Sequence, residues 1–215
     1  LTRKLQSILN VPVIGEEMSA EQQRARWEEG AGQGVWCIDP IDGTSNFVRG
    51  LSYFAVSAAL MRDGCSVLGV VYDPVADEAF AAEAGRGAYL NGEKLVSRNA
   101  AQDLSAALAN VDMKRLDREL ATRLAVAPPF SSQRNFGASA LDWCYTAAGR
   151  YDLYLHGGQM LWDYAAGSLV LQEAGGRLCC LDQDDFCGCD VWRRSVIASA
   201  DPALFEQWKR WVRQQ

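Results

Sequence analysis

Trp36-Cys37-Ile38-Asp39-Pro40-Ile41-Asp42-Gly43-Thr44-Ser45-Asn46-Phe47 is the stretch on which the reading of this chain turns. An apolar run from Val35 to Ile38 ends in a carboxylate, and a second carboxylate follows three residues later. The pattern reads as the end of a buried strand opening into a loop, with a helix beginning near Thr44 or Ser45. Two carboxylates in so short a turn repel each other unless a cation lies between them. Hard cations such as Mg²⁺ take oxygen ligands, typically one or two carboxylates with water and substrate phosphate. Pro40 biases Asp39 toward an extended backbone and has no N–H of its own. Gly43 and Thr44 bring free amides to the N-terminus of the expected helix, where phosphate binds readily.

The composition sets the frame around this stretch. At 215 residues, 49% hydrophobic and 22% charged, the chain suits one large or two small, closely packed units with a substantial core. No apolar run approaches the ~20 residues that span a bilayer, and Leu1 to Leu5 starts an amphipathic pattern, not a signal peptide. A net charge of −6 argues against a nucleic-acid surface, which would carry a basic stripe. Seven cysteines do not read as a secreted disulfide framework, so reduced thiols in a cytoplasmic protein are expected. Cys179, Cys180, Cys187 and Cys189 could together bind Zn²⁺, but an adjacent Cys-Cys does not match a common zinc knuckle. Free thiols on a strand and its following loop are the expectation.

Working outward, Leu1, Leu5, Ile8 and Leu9 have helical spacing, and Val11 to Ile14 reads as a short strand leading to Gly15-Glu16-Glu17. Ser19 is placed to cap a helix reaching Glu29, and Gly30 to Gly34 is a loop. Downstream, Tyr53 to Met61 and Ser66 to Tyr72 flank Asp63-Gly64, a strong hairpin signal. Glu78 to Ala84, Gly87 to Leu90 and Asn91-Gly92 continue an antiparallel meander. Leu104 to Val111 is an apolar stretch ending at Asp112; Leu116, Leu120 and Leu124 predict a helix from Lys114 to Val126. A small-residue helix reaches Ala148, a strand follows from Tyr151 to Leu155, and Asp163 opens a helix that stops at Gly175-Gly176. A carboxylate in a first helical turn is stabilising by itself, so Asp163 alone does not announce a site.

Asp39-Pro40-x-Asp42-Gly43-Thr44 resembles the signature of the inositol monophosphatase family, Mg²⁺-dependent and lithium-sensitive phosphatases. Trp162-Asp163-x-Ala165-Ala166-Gly167, with Glu173-Ala174-Gly175-Gly176 downstream, resembles that family's second signature, in the correct order. The likeness runs from Ile14 onward and includes Gly85 to Tyr89 and Asn91-Gly92. It implies an α/β fold, the layered αβαβα sandwich of sugar phosphatases with mixed and antiparallel sheets. It implies further that Glu16, Asp39 and the Ile41 carbonyl hold one Mg²⁺, while Asp39, Asp42 and Asp163 hold a second. Thr44 with Glu16 would orient the attacking water, and the Gly43 and Thr44 amides would hold the phosphate. Glu16, Asp39, Asp42 and Thr44 are thus the expected catalytic group, with two or three ions per site and a homodimer by family analogy.

Two departures mark the limits of the likeness. His156, the only histidine, stands where relatives that hydrolyse inositol phosphates carry a glutamate contacting a sugar hydroxyl. Either the leaving group differs from inositol or His156 is a half-buried residue at a strand end. Arg134, Gly137 and Ser139 match the substrate wall of the family, and Asp112 sits at a strand end that could face the same pocket. Family members also carry a longer helical segment before Gly-Glu-Glu than the fourteen residues preceding Gly15 here, and its loss would remove a third metal position. The expectation is a single unit over 1–215, with approximate halves 1–100 and 101–215. Its expected function is a Mg²⁺-dependent phosphomonoesterase on a small polyol or sugar phosphate. Rival readings are a nucleotide 3′-phosphatase, a fructose-1,6-bisphosphatase, and a non-catalytic regulatory or binding protein.

Overall fold

The computed structural model describes residues 1–96, 101 and 103–214, so the boundary between the expected halves lies at residues outside the description. Helix α1 (Thr2–Ile8) precedes β1 (Val13–Gly15), α2 (Ala20–Glu29), β2 (Val35–Asp42) and α3 (Thr44–Arg49). The meander follows as β3 (Ala55–Arg62), β4 (Cys65–Asp73), β5 (Glu78–Glu83), β6 (Gly87–Leu90) and β7 (Glu93–Leu95). These seven strands form one sheet in chain order, with β1 parallel to β2 and every later pair antiparallel. Asp63 and Gly64 both have positive φ, as the short β3–β4 hairpin requires.

The second sheet is mixed. After β8 (Leu108–Asp112) come α4 (Arg118–Val126), β9 (Ser132–Arg134), α5 (Ser139–Ala147), β10 (Leu153–Met160) and α6 (Leu161–Glu173). Strands β11 (Arg177–Cys179) and β12 (Arg193–Ser199) and helix α7 (Pro202–Arg213) complete the chain. The sheet order is β11-β12-β10-β8-β9, with the last two pairs parallel. Helices α5 and α6 pack against each other and lie between the sheets, and α6 touches strands of both. Their residues Leu141, Trp143, Leu161, Tyr164 and Val170 share one buried cluster with Phe80 and Val71 of the first sheet and Val196 of the second. The far side of the second sheet buries Leu120 and Leu124 of α4 with Leu204 and Trp208 of α7. Leu5 of α1 packs over Trp36 and Ile38 on the far side of the first sheet. The order is therefore helix, sheet, helix, sheet, helix, as expected of the sandwich.

Four local expectations are corrected. Strand β2 does not stop at Asp39 but runs to Asp42, its register with β3 shifting between those two residues. This is a bulge, the device by which an edge of pairing accommodates Pro40. Strand β10 likewise continues through Gly157 and Gly158 to Met160, with a register shift between His156 and Gln159. The helix expected from Lys114 begins only at Arg118, because Asp117 caps it by accepting the Leu120 N–H; Leu116 still packs on the same core from the preceding turn. Finally, the cysteines are not all free. Cys65 is bonded to Cys187 and Cys180 to Cys189, leaving Cys37, Cys144 and Cys179 as buried thiols. The first bond closes a separation of 122 residues. Tertiary packing of the β3–β4 hairpin against the β11–β12 loop creates it, and local cysteine spacing cannot reveal it. The thiol state thus no longer argues for a reducing compartment.

Candidate metal and phosphate site

A cavity of about 250 Å³ opens where the C-terminal ends of β1 and β2 meet the starts of α3, α5 and α6. Strand β2 delivers Asp39 and Asp42, α6 delivers Asp163, and Glu16 follows β1 directly. Carboxylate oxygens of Asp39, Asp42 and Asp163 lie within 4.8 Å of one another. Each of the three is aimed by a backbone donor. Asp39 Oδ1 accepts the Ile41 N–H (2.9 Å), Asp42 Oδ2 that of Ala140 (2.7 Å), and Asp163 Oδ2 that of Met160 (2.9 Å). Asp163 is thus both a first-turn helix carboxylate and a wall of the cavity. The bulge in β2 lets Asp39 and Asp42, three residues apart, face the same space.

The electrostatics are those of an overcrowded acidic site. Burial, then repulsion from Glu16, pushes the Asp39 carboxyl up to about 7 despite the Ile41 hydrogen bond. Asp42 is raised by burial and by Asp163 and Asp39; Asp163 is raised by burial against the opposing Met160 hydrogen bond. Glu16 is raised by burial, Asp163 and Glu17, with a hydrogen bond to Asp39 working the other way. Hard oxygen donors whose charges cannot all be borne at neutral pH suit a divalent cation. A cation held there would supply the missing positive charge.

Gly43 turns the chain from β2 into α3 with φ +84°, and a Cβ there would stand 3.1 Å from both the Ala138 Cβ and the Tyr53 carbonyl oxygen. Thr44 lines the cavity and donates its hydroxyl to the Ile41 carbonyl (2.9 Å). Ile41 is not among the residues lining the cavity, and the carbonyl expected to hold an ion accepts the Thr44 hydroxyl. Gly137, Ser139, Asp112 and His156 line the same cavity. Arg134 does not: it ends β9, and its guanidinium folds back onto Ser132 Oγ (2.7 Å) and the Gln133 carbonyl (2.8 Å). That corrects its placing in the substrate wall.

His156 is only 3% exposed. Its Nδ1 accepts the Gly158 N–H (3.1 Å), which assigns the ring proton to Nε2, facing Asp112 Oδ2 at 3.3 Å. Burial would raise Asp112, but its hydrogen bond to His156 and the charges beside it hold it at about 2. His156 therefore lines the cavity as a buried partner of Asp112. Sequence reasoning missed Arg115, Asn135 and Asp142, which also line the cavity. Asp142 Oδ1 accepts from Tyr53 Oη (2.8 Å) and Asn110 Nδ2 (2.6 Å), and burial pushes its carboxyl up to about 7. Asn46 was missed as well; its Nδ2 donates to the Tyr53 and Phe136 carbonyls (2.7 and 2.6 Å), tying α3 to the loop before α5. A carboxylate amid small apolar residues in Ser139 to Ala147 was the one available signal; the others have none in local pattern.

Comparison with known proteins gives the context of this geometry. The model of the inositol monophosphatase family matches residues 2–214. A Nus factor SuhB of Pseudomonas aeruginosa is 42% identical over 158 residues, 69% of this chain and 58% of the relative. An inositol-1-monophosphatase of Caulobacter vibrioides is 35% identical over 172 residues, 77% of this chain and 66% of the relative. The crystal structure of the extragenic suppressor protein suhB from Bartonella henselae superposes with a TM-score of 0.82 at 31% identity, covering 99% of this chain and 81% of that one. The chain thus spans about three-fifths of the length of the curated relatives it matches.

Proposed function

This chain belongs to the inositol monophosphatase family, and we propose that it is a Mg²⁺-dependent phosphomonoesterase acting on a small polyol or sugar phosphate. The observation that carries the reading is the convergence of Asp39, Asp42 and Asp163 within 4.8 Å, beside Glu16 and the Gly43–Thr44 turn. In this reading Glu16 and Asp39 hold one ion, and Asp39, Asp42 and Asp163 a second. Ile41 joins the first only if its carbonyl, which already accepts from Thr44, uses its remaining lone pair. Bound Mg²⁺ supplies neutralisation of the phosphate dianion and lowers the pKa of water. The chain's own residues do the rest. Thr44, fixed by its hydrogen bond to Ile41, would orient the water with Glu16, and the Gly43 and Thr44 amides would receive the phosphate. No histidine or cysteine is required as nucleophile. Because Asp42 on the first sheet is anchored to α5 between the sheets, we take residues 1–215 as one working unit.

Phosphate release from a panel of phosphomonoesters, with and without Mg²⁺ and Li⁺, tests the proposal. Mg²⁺-dependent turnover that Li⁺ suppresses is expected; absence of metal-dependent turnover on every ester would falsify it. Light scattering tests the homodimer. A second reading, a non-catalytic binding role, is favoured by the relatives named Nus factor SuhB. That naming also stands against the expectation, drawn from net charge, of no nucleic-acid partner. The two readings separate on Asp42→Asn: a binding role survives the substitution, whereas turnover does not.

A further inference from the structure

Arg115 is the only lysine or arginine side chain lining the cavity among the described residues, against six carboxylates, Glu16, Asp39, Asp42, Asp112, Asp142 and Asp163. Its place is set twice. From β8, Asp112 accepts the Lys114 N–H (3.0 Å) through Oδ1, and Arg115 Nη1 and His156 Nε2 through Oδ2. Three donors occupy most of the roughly four acceptor positions of a carboxylate, so Asp112 serves to hold Arg115 and not to receive an ion or a hydroxyl. From β10, the turn Met113–Arg115 is pressed against the bulge: a Cβ on Gly157 would lie 1.8 Å from the Arg115 carbonyl oxygen. The Arg115 side chain is 49% exposed, and its guanidinium uses one N–H on Asp112 and keeps the rest of its donor fork for another group.

We propose that Arg115 is a specificity residue that receives a second anionic group, a carboxylate or a phosphate, on the alcohol portion of the phosphate ester. The inference rests on the phosphomonoesterase reading and names its substrate class. An acidic cavity disfavours an anionic leaving group through repulsion; a fixed guanidinium reverses that preference and pairs with carboxylate or phosphate in bidentate geometry. The cavity of about 250 Å³ limits the class to small esters.

The test compares kcat/KM within matched pairs: 3-phosphoglycerate against glycerol 3-phosphate, and fructose 1,6-bisphosphate against fructose 1-phosphate. The member carrying the second anionic group in at least one pair is expected to be favoured about ten- to a hundredfold, mostly through KM. In Arg115→Gln that ratio falls to about one, and Arg115→Lys restores part of it. A wild-type ratio of one or below in both pairs overturns the proposal, as does a ratio that survives in Arg115→Gln. Calorimetric binding of 3-phosphoglycerate and glycerol 3-phosphate with Ca²⁺ in place of Mg²⁺ reads the same preference without turnover. Failure of the phosphatase reading is then distinguishable from failure of the Arg115 contact.

Discussion

Asp42 shows most directly how one side chain serves fold and site together. Its Oδ2 accepts the Ala140 amide in the first turn of α5 while its charge faces Asp39 and Asp163. Asp42→Asn keeps a hydrogen-bond acceptor and removes the charge. We expect kcat/KM to fall by at least about a hundredfold, with the circular dichroism spectrum unchanged. Wild-type turnover in that variant would remove Asp42 from the ion-holding set. Asp39 and Asp142 carry a pH prediction. Both carboxyls are raised to about 7 in the fold from an ordinary value of 3.8. A raised folded pKa means that their contribution to stability is present below about pH 4 and is lost as pH rises through about 7. Urea midpoints of the metal-free protein should therefore decline between about pH 4 and 7. Mg²⁺ should flatten the part due to Asp39 and the carboxylates around it, because it replaces the missing counter-charge, and Asp142→Asn the part due to Asp142. A midpoint independent of pH without Mg²⁺ would contradict these shifts.

At the scale of elements, the site depends on two bulges that sequence pattern hides. The bulge in β2 turns Asp39 and Asp42 to one side; the bulge in β10 brings Gly157 against the Arg115 carbonyl. Gly157→Ala has no room for its methyl without separating β10 from the Met113–Arg115 turn. The expected cost is roughly 1–3 kcal/mol in urea unfolding, with a weakened preference for anionic esters. Helix ends show the converse, local rules that hold without tertiary help. Ser19 forms its capping box with Gln22, and Asp117 and Asp201 each accept an N–H three residues on. Asp201→Ala should cost about 1 kcal/mol, since it removes the cap of the helix that buries Trp208.

For the molecule as a whole, the Cys65–Cys187 disulfide fastens the β11–β12 loop to the sheet that carries Asp39, and Cys180–Cys189 closes that loop on itself. Arg194 reinforces the join, donating to the carbonyls of Gly64, Cys187 and Cys189 while its guanidinium lies over the Tyr164 and Phe186 rings. Tyr164 follows Asp163 in α6 and donates its hydroxyl to Val191. Alkylation under denaturing, non-reducing conditions should label only Cys37, Cys144 and Cys179, and all seven cysteines after reduction. Reduction should lower stability by about 2–4 kcal/mol, an effect absent in Cys65→Ala/Cys187→Ala if that long-range bond is responsible. Labelling of all seven thiols without reductant would show the bonds to be absent. No helix among the described residues is long and apolar enough to cross a membrane.

Legible in the chain alone were the meander, the Ser19 cap, the layer order through family likeness, and the carboxylates Glu16, Asp39, Asp42 and Asp163. These were legible because turns, caps and the Asp-Pro-x-Asp-Gly-Thr string depend on neighbours within a few residues. What lay beyond it depends on contacts between distant segments. Arg134 turned back on its own strand, the Ile41 carbonyl turned to Thr44, and His156 was claimed by Asp112 from the neighbouring strand. Arg115 entered the cavity because β8 and β10 run parallel with Asp112 opposite His156, a pairing that no spacing in the chain announces. Cys65 met Cys187 for the same reason. Short-range chemistry is written in consecutive residues. Which side chains share a cavity is decided when two sheets close over α5 and α6, where burial fixes orientations that the open chain leaves free.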